Sequence, residues 1–179
     1  RVGKDENGKY AVGTLMENGV DTSHILQSDE KTSFTQVMSV TGGQRTFFTY
    51  AGASAEFGAD DVGLDGLNVK MLHLGYFLLL DKIDNGDGLE MLKQAQEKGI
   101  KTSIDLVSEN SDRYGIVLPC LPYTDYLIIN EHEAGKLAGM EPSDENLEAI
   151  ARKLMSMGVR EKVIIHMPEK AVCLSKEGF

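Results

Sequence analysis

The spacing of apolar positions divides the chain into a short leading part and a long alternating part. Val12, Leu15 and Met16 recur at helical spacing and Gly19 follows as a stop, which predicts a helix over 5–18. Val20-Asp21-Thr22-Ser23 reads as a turn. Over 33–50 the period changes to two: Phe34, Gln36, Met38 and Val40 share one strand face, and Thr35, Val37 and Ser39 share the other. Thr41-Gly42-Gly43-Gln44 then supplies a turn, and Arg45-Thr46-Phe47-Phe48-Thr49-Tyr50 alternates again. This predicts a hairpin. Ala51-Gly52-Ala53-Ser54 is a loop of small residues that another group can approach closely.

From residue 69 the pattern is strand, helix, strand, helix. Strands are predicted over 69–74, 101–106, 126–129, 163–167 and 171–175. Helices are predicted over 87–98, over 131–138, and from Ser143 through Met157. Leu147, Ile150, Ala151, Leu154 and Met157 form the apolar stripe of the last one. Ser111 and Asp112 can cap a short helix toward Leu118, and Pro119 and Pro122 bracket a loop. Such alternation calls for an α/β fold, a mostly parallel sheet flanked by helices, with the hairpin as a small antiparallel appendage. Ligands of open α/β sheets sit outside the carboxyl ends of the strands, where Gly75-Tyr76, Asp105 and Asn130 fall.

Length and charge narrow the function. The 179 residues are enough for one domain with a core, and 41% hydrophobic content is ordinary for a globular protein. A net charge of −10 with no Lys/Arg cluster argues against nucleic acid as a partner. No apolar run reaches membrane-spanning length. Two cysteines without metal spacing fit a reducing cytoplasm. The chain opens on Arg1 without the form of a signal peptide, so it reads as an internal segment or a processed fragment.

Asn130 and Glu133 are the sharpest candidates. Asn130 ends an apolar run, Glu133 follows three residues later, and a helix begins between them. One reading is a capping box, with Asn130 capping the helix and Glu133 reaching back. The other has Glu133 holding Mg²⁺ through water and the Asn130 amide near a phosphate. One geometry can serve both. Asp105, at a strand end with Glu109 and Asp112 after it, is a second acidic candidate or a loop cap. Asp84-Asn85-Gly86-Asp87-Gly88 fails the register of a calcium loop. The histidines lack metal spacing, and there is no G-x-S-x-G, Walker A or G-x-G-x-x-G.

The order of motifs carries more than any one of them. Val2-Gly3-Lys4-Asp5-Glu6-Asn7-Gly8 resembles the V-G-x-D-x-x-G segment of the PfkB/ribokinase family of carbohydrate kinases. Gly19-Val20-Asp21-Thr22-Ser23 resembles that family's G-V-D-T-S turn. Thr32-Ser33, the hairpin with Gly43-Gln44-Arg45, and Tyr50-Ala51-Gly52-Ala53 are similar to its lid and following loop. Asn130-Glu131-His132-Glu133 resembles its N-x-x-E motif. The resemblance spans nearly the whole chain.

The resemblance implies one ribokinase-like domain over 1–179, incomplete at both ends, with a lid hairpin over 32–52 and a βαβ core over 69–179. It implies transfer of the γ-phosphoryl group of ATP to a sugar or sugar-derivative hydroxyl. Glu133 would help hold Mg²⁺, and Asn130 would lie near the ATP phosphates. Arg45, Phe48, Tyr76 and Asp105 are the candidates for the sugar, and a homodimer through the lid is implied.

Departures from the family pattern are equally informative. The family's G-A-G-D motif, which supplies an anion hole and a catalytic base, is absent from the chain. By the order of motifs the base is expected beyond Phe179. No catalytic residue is therefore assigned within 1–179, and these residues alone are expected to be inactive. His166-Met167-Pro168, followed by Ala171, replaces a T-x-G turn and its second glycine. The family's D-x-N is reduced to Asp105. The alternative expectation is a non-catalytic ribokinase-like binding or regulatory module.

Overall fold

The computed structural model describes residues 1–179 except Gln44 and Asn110. It separates into two compact units, one of residues 1–57 and 80–82, the other of 58–79 and 83–179.

In the first unit, one carboxylate organises the start of the chain. Asp5 precedes helix α1 (Glu6–Glu17), and its Oδ1 accepts the Gly8 amide at 2.9 Å, an N-cap. The same carboxylate accepts the Thr32 hydroxyl at 2.6 Å and the Thr32 amide at 2.9 Å. Thr32 Oγ1 in turn accepts the Gly3 amide at 2.8 Å. Strand β1 (Val2–Gly3) pairs in parallel with β2 (Gln27–Ser28), two short strands that the hydrophobic pattern does not show. A Cβ on Gly3 would meet the Glu30 carbonyl oxygen at 2.5 Å, and one on Gly8 would meet the Gly3 carbonyl oxygen at 2.2 Å. The V-G-x-D-x-x-G spacing is therefore a structural knot. The apolar stripe predicted for α1 is not its buried side: Leu15 and Met16 are exposed, and Gly8 is the helix's buried residue. The cap, rather than hydrophobic burial, fixes this helix.

Strands β3 (Phe34–Ser39) and β4 (Arg45–Tyr50) form the expected antiparallel hairpin, in register from Phe34 opposite Tyr50 to Ser39 opposite Arg45. Gly42 and Gly43 take positive φ in its turn, and Gln44, which belongs to the predicted turn, lies outside the described residues. Every residue of both strands is exposed. The small-residue loop is a 3₁₀ turn over Gly52–Glu56, with Ala53 fully buried and its amide on the Lys31 carbonyl at 2.8 Å.

The second unit is a five-stranded sheet in sequential order: β5 (Met71–Phe77), β6 (Lys101–Leu106), β7 (Tyr126–Asn130), β8 (Lys162–His166) and β9 (Ala171–Ser175). All neighbours are parallel except β9, which runs antiparallel to β8. Helices α2 (Gly88–Glu97), α3 (Glu131–Ala138) and α4 (Leu147–Ser156) flank it. The mostly parallel α/β architecture agrees with the sequence reading. Leu74, Ile104, Leu127, Ile129, Val163, Ile165 and Leu174 supply the buried sheet face, and Met91, Leu92, Ile150, Ala151 and Leu154 are the buried helix positions.

Local boundaries differ for identifiable reasons. Helix α4 starts at Leu147, not Ser143, because the Asn146 side chain accepts the Ser143 amide at 2.8 Å and donates to the Glu141 carbonyl at 2.7 Å, closing a turn. Residues Arg113–Tyr123 form continuous 3₁₀ turns through Pro119 and Pro122, in place of a short helix and a loop. Strand β5 runs on to Phe77 through a bulge: Leu74 pairs with Ile104 and Phe77 with Leu106, three steps against two. Among the described residues, no helix is long and apolar enough to cross a membrane.

Candidate functional site

The carboxyl ends of β5, β6, β7 and β8 bring Tyr76, Asp105, Asn130 and His166 to one edge of the second unit, with Asn130 directly opposite His166. Chain reversal from β7 into α3 occurs at Asn130, whose extended backbone and side-chain carbonyl make it an N-cap. Asn130 Oδ1 accepts the Glu133 amide at 2.9 Å, and Glu133 Oε2 accepts the Asn130 amide at 3.0 Å. The capping box read from the spacing is present.

A third residue closes the arrangement. Ser108, in the loop after β6, accepts from Asn130 Nδ2 at 2.7 Å and donates to Glu133 Oε1 at 2.7 Å. Glu133 is 3% exposed, so each of its oxygens has a hydrogen-bond donor and its position is fixed from two sides. One acceptor direction remains on each oxygen. Among the described residues no group of three or more His, Cys, Asp or Glu side chains converges on a cation position. A single carboxylate of this kind would suit a hydrated Mg²⁺ held through water, and does not fit an all-protein cage.

At the β5 end, the bulge separates neighbouring side chains. Tyr76 is 61% exposed while Phe77 and Leu78 are buried. The Tyr76 amide donates to Asp105 Oδ1 at 2.6 Å, so Asp105 anchors the backbone of the other strand-end candidate. Two residues further, the Leu78 amide donates to Asp84 Oδ1 at 2.9 Å. Burial pushes the Asp84 carboxyl above its usual value, against the opposing pull of the Leu78 amide and the Arg113 guanidinium. The Asp84–Gly88 segment, excluded as a calcium loop, is a tight turn with Gly86 at φ 122°.

Arg45 and Phe48 belong to the first unit. Arg45 opens β4 and its guanidinium lies 5.6 Å from the Phe47 ring centroid; Phe48 pairs with Gln36 and is 57% exposed. In the second unit, the β8–β9 turn is closed by the Met167 amide on the Lys170 carbonyl at 2.8 Å. It borders a cleft of about 390 Å³ that Glu131, Pro142, Leu147 and Pro168 also line, with Lys170 paired to Asp144 at 2.8 Å. Phe179, the residue beyond which the base is expected, follows the turn that the Ser175 amide closes on the Gly178 carbonyl at 2.9 Å, and its side chain is exposed. Sequence reading missed Ser108 and Arg113. Their only signal is position, in the loop that follows a strand ending in Asp105.

An α/β sheet with a capped helix N-terminus and polar side chains at its carboxyl edge defines a class of ligand-binding folds. The pfkB family carbohydrate kinase model matches residues 1–179, and the chain belongs to that family. The chain is 25% identical over 168 residues to a ribokinase of Schizosaccharomyces pombe, covering 92% of this chain and 51% of that protein. It thus spans about half the length of that curated relative, and 30% of a bifunctional ribokinase/ribose-5-phosphate isomerase A of Fructilactobacillus sanfranciscensis. Among solved structures, a fructokinase with bound ATP from Xylella fastidiosa aligns with a TM-score of 0.81 at 19% identity, over 99% of this chain and 57% of that one. An Arabidopsis thaliana ribokinase complexed with ribose and ATP aligns at 0.75 and 19% identity, over 100% and 57%. These structural likenesses establish the shared fold.

Proposed function

We propose that the whole protein is a carbohydrate kinase that moves the γ-phosphoryl group of ATP to a hydroxyl of a sugar or sugar derivative. Family membership supports the reaction class, and the ATP and ribose bound by the two related kinases support the ligand classes. The observation that carries the reading is the closed Asn130–Ser108–Glu133 arrangement at the N-terminus of α3. The first-turn amides and the helix dipole favour phosphate there. Asn130 would lie beside the ATP phosphates, and Glu133 would hold hydrated Mg²⁺ through water. Bound Mg²⁺ neutralises charge on the phosphates.

Tyr76 and Asp105 are assigned to the acceptor side, Asp105 by fixing the Tyr76 backbone. Arg45 and Phe48 are assigned to the hairpin acting as a lid that excludes water from phosphoryl transfer. A homodimer through that hairpin is supported by Phe34, Val37, Phe47 and Phe48, all exposed on its two faces. The composition supports a cytoplasmic setting. Residues 1–179 contain no G-A-G-D, so we assign the base to sequence beyond Phe179 and give these residues no turnover of their own.

A second reading, a non-catalytic binding or regulatory module of the same fold, draws on the turn at His166-Met167-Pro168, which lacks the glycines of the family pattern. Sugar-dependent ADP formation by the full-length protein separates the two. Within an active enzyme, Glu133→Gln should weaken Mg²⁺ dependence about 10- to 100-fold. Unchanged turnover and Mg²⁺ dependence would reduce Glu133 to a helix cap.

A further inference from the structure

Among the described residues, two that are not glycine have a left-handed backbone, and they flank one position: Tyr76 at φ 61° and Leu78 at φ 81°. L residues with a branched or bulky side chain rarely adopt this conformation, and it persists only where the surroundings over-determine it. Here they do. Asp105 holds the Tyr76 amide, and the Val107 amide donates to the Phe77 carbonyl at 2.9 Å. The Leu78 peptide groups are gripped on both sides. Its amide donates to Asp84 Oδ1 at 2.9 Å, and its carbonyl accepts from Arg113 Nη2 at 2.8 Å.

Arg113 also ties this grip together. Its Nη1 lies 3.3 Å from Asp84 Oδ2, and its Nη2 lies 2.7 Å from Glu109 Oε2. Two carboxylates and a carbonyl therefore occupy the guanidinium, which leaves it poorly suited to phosphate and well suited to geometry. The planar fork of arginine holds its donors at a fixed separation, Nη1 toward Asp84 and Nη2 toward the Leu78 carbonyl, which the single ammonium of lysine does not reproduce. The consequence is local: Phe77 and Leu78 are driven into the core, 1% exposed each, while Tyr76 is left facing solvent at the strand end.

We propose that Arg113 is a positioning residue for the acceptor: with Asp84 it clamps Leu78 and so fixes the bulge that presents Tyr76. The clamp stands on geometry alone, while its effect on the acceptor rests on the kinase reading above. Two readouts in the full-length protein keep these apart. In Arg113→Ala, hydrogen exchange at the Tyr76–Leu79 amides should accelerate about 10- to 100-fold, with the Val163–Ile165 amides unchanged. The acceptor KM should rise about tenfold with the ATP KM unchanged, and added guanidinium ion should restore it. Arg113→Lys, which keeps the charge without the fork, should remain close to Arg113→Ala. Unchanged exchange overturns the clamp. Faster exchange with an unchanged acceptor KM, or equal changes in both KM values, overturns the positioning role. A wild-type protein without sugar-dependent turnover but with the exchange difference intact overturns the kinase reading and supports the clamp.

Discussion

Ser108 donates its hydroxyl to Glu133 Oε1 at 2.7 Å, so a loop residue of one βα unit holds the buried carboxylate of the next. Ser108→Ala removes that donor and leaves a buried carboxylate oxygen unpartnered. The expected cost is about 1–3 kcal/mol in urea unfolding. Glu133→Gln behaves differently, because the amide oxygen can still accept from Asn130 and the amide nitrogen can donate to Ser108. Its cost should stay within about 1 kcal/mol. Stability and Mg²⁺ dependence should thus rank the two variants in opposite order. Equal ranking in both assays would tie the metal effect to the cap alone.

Gly8 and Gly13 lie in the same helix but face different surroundings. Nothing stands within 4 Å of a Cβ built on Gly13, whereas one on Gly8 would meet the Gly3 carbonyl oxygen at 2.2 Å. Alanine at position 13 should therefore stabilise the protein by up to about 1 kcal/mol, the helix-propensity gain. Alanine at position 8 has the same gain but forces β1 away, and should destabilise by about 1–3 kcal/mol. Thermal melts of the two variants give the comparison; equal shifts would contradict the knot at Asp5.

The period of the hydrophobic pattern carried the architecture and lost the details that depend on side-chain capture. The βαβ alternation, the hairpin and the apolar stripe of α4 follow from periodicity and are present. The apolar positions of α1 misled, because Asp5 and two glycines hold that helix. The bulge at Gly75-Tyr76 was hidden inside an apolar run, where a one-residue slip leaves composition unchanged. Asn130 and Glu133 were legible because a capping box has fixed spacing. Ser108 and Arg113 were not, since partners 25 and 35 residues away leave no periodic trace.

Asp5 should make the first unit acid-sensitive. Its carboxyl is held below the usual 3.8 by the Thr32 hydroxyl first, then by the Gly8 and Thr32 amides. A depressed carboxylate contributes its stability above the unfolded value. That contribution is lost as the pH falls from about 4 through the lower folded value. Asn at this position still caps Gly8 but offers the Thr32 amide no second carboxylate oxygen. Asp5→Asn should lower stability at neutral pH and flatten the acid limb of the melting profile below about pH 4. An acid limb as steep as that of wild type would assign the effect to other carboxylates.

The two cysteines provide an internal clock for unfolding. Cys173 lies exposed on β9, whereas Cys120 is 2% exposed among the 3₁₀ turns, where burial pushes its thiol up to about 11. Near pH 8 the thiolate fraction of Cys120 is then about one in a thousand, and the thiolate is the species that reacts. A disulfide reagent should label one thiol per chain rapidly in native buffer and both in denaturant. The slow native labelling of Cys120 should follow the opening of the core rather than reagent access, so its rate should rise in Ser108→Ala by the factor that urea unfolding gives for that variant. Rapid labelling of both thiols in native buffer would mean that the Arg113–Tyr123 turns open without the rest of the sheet.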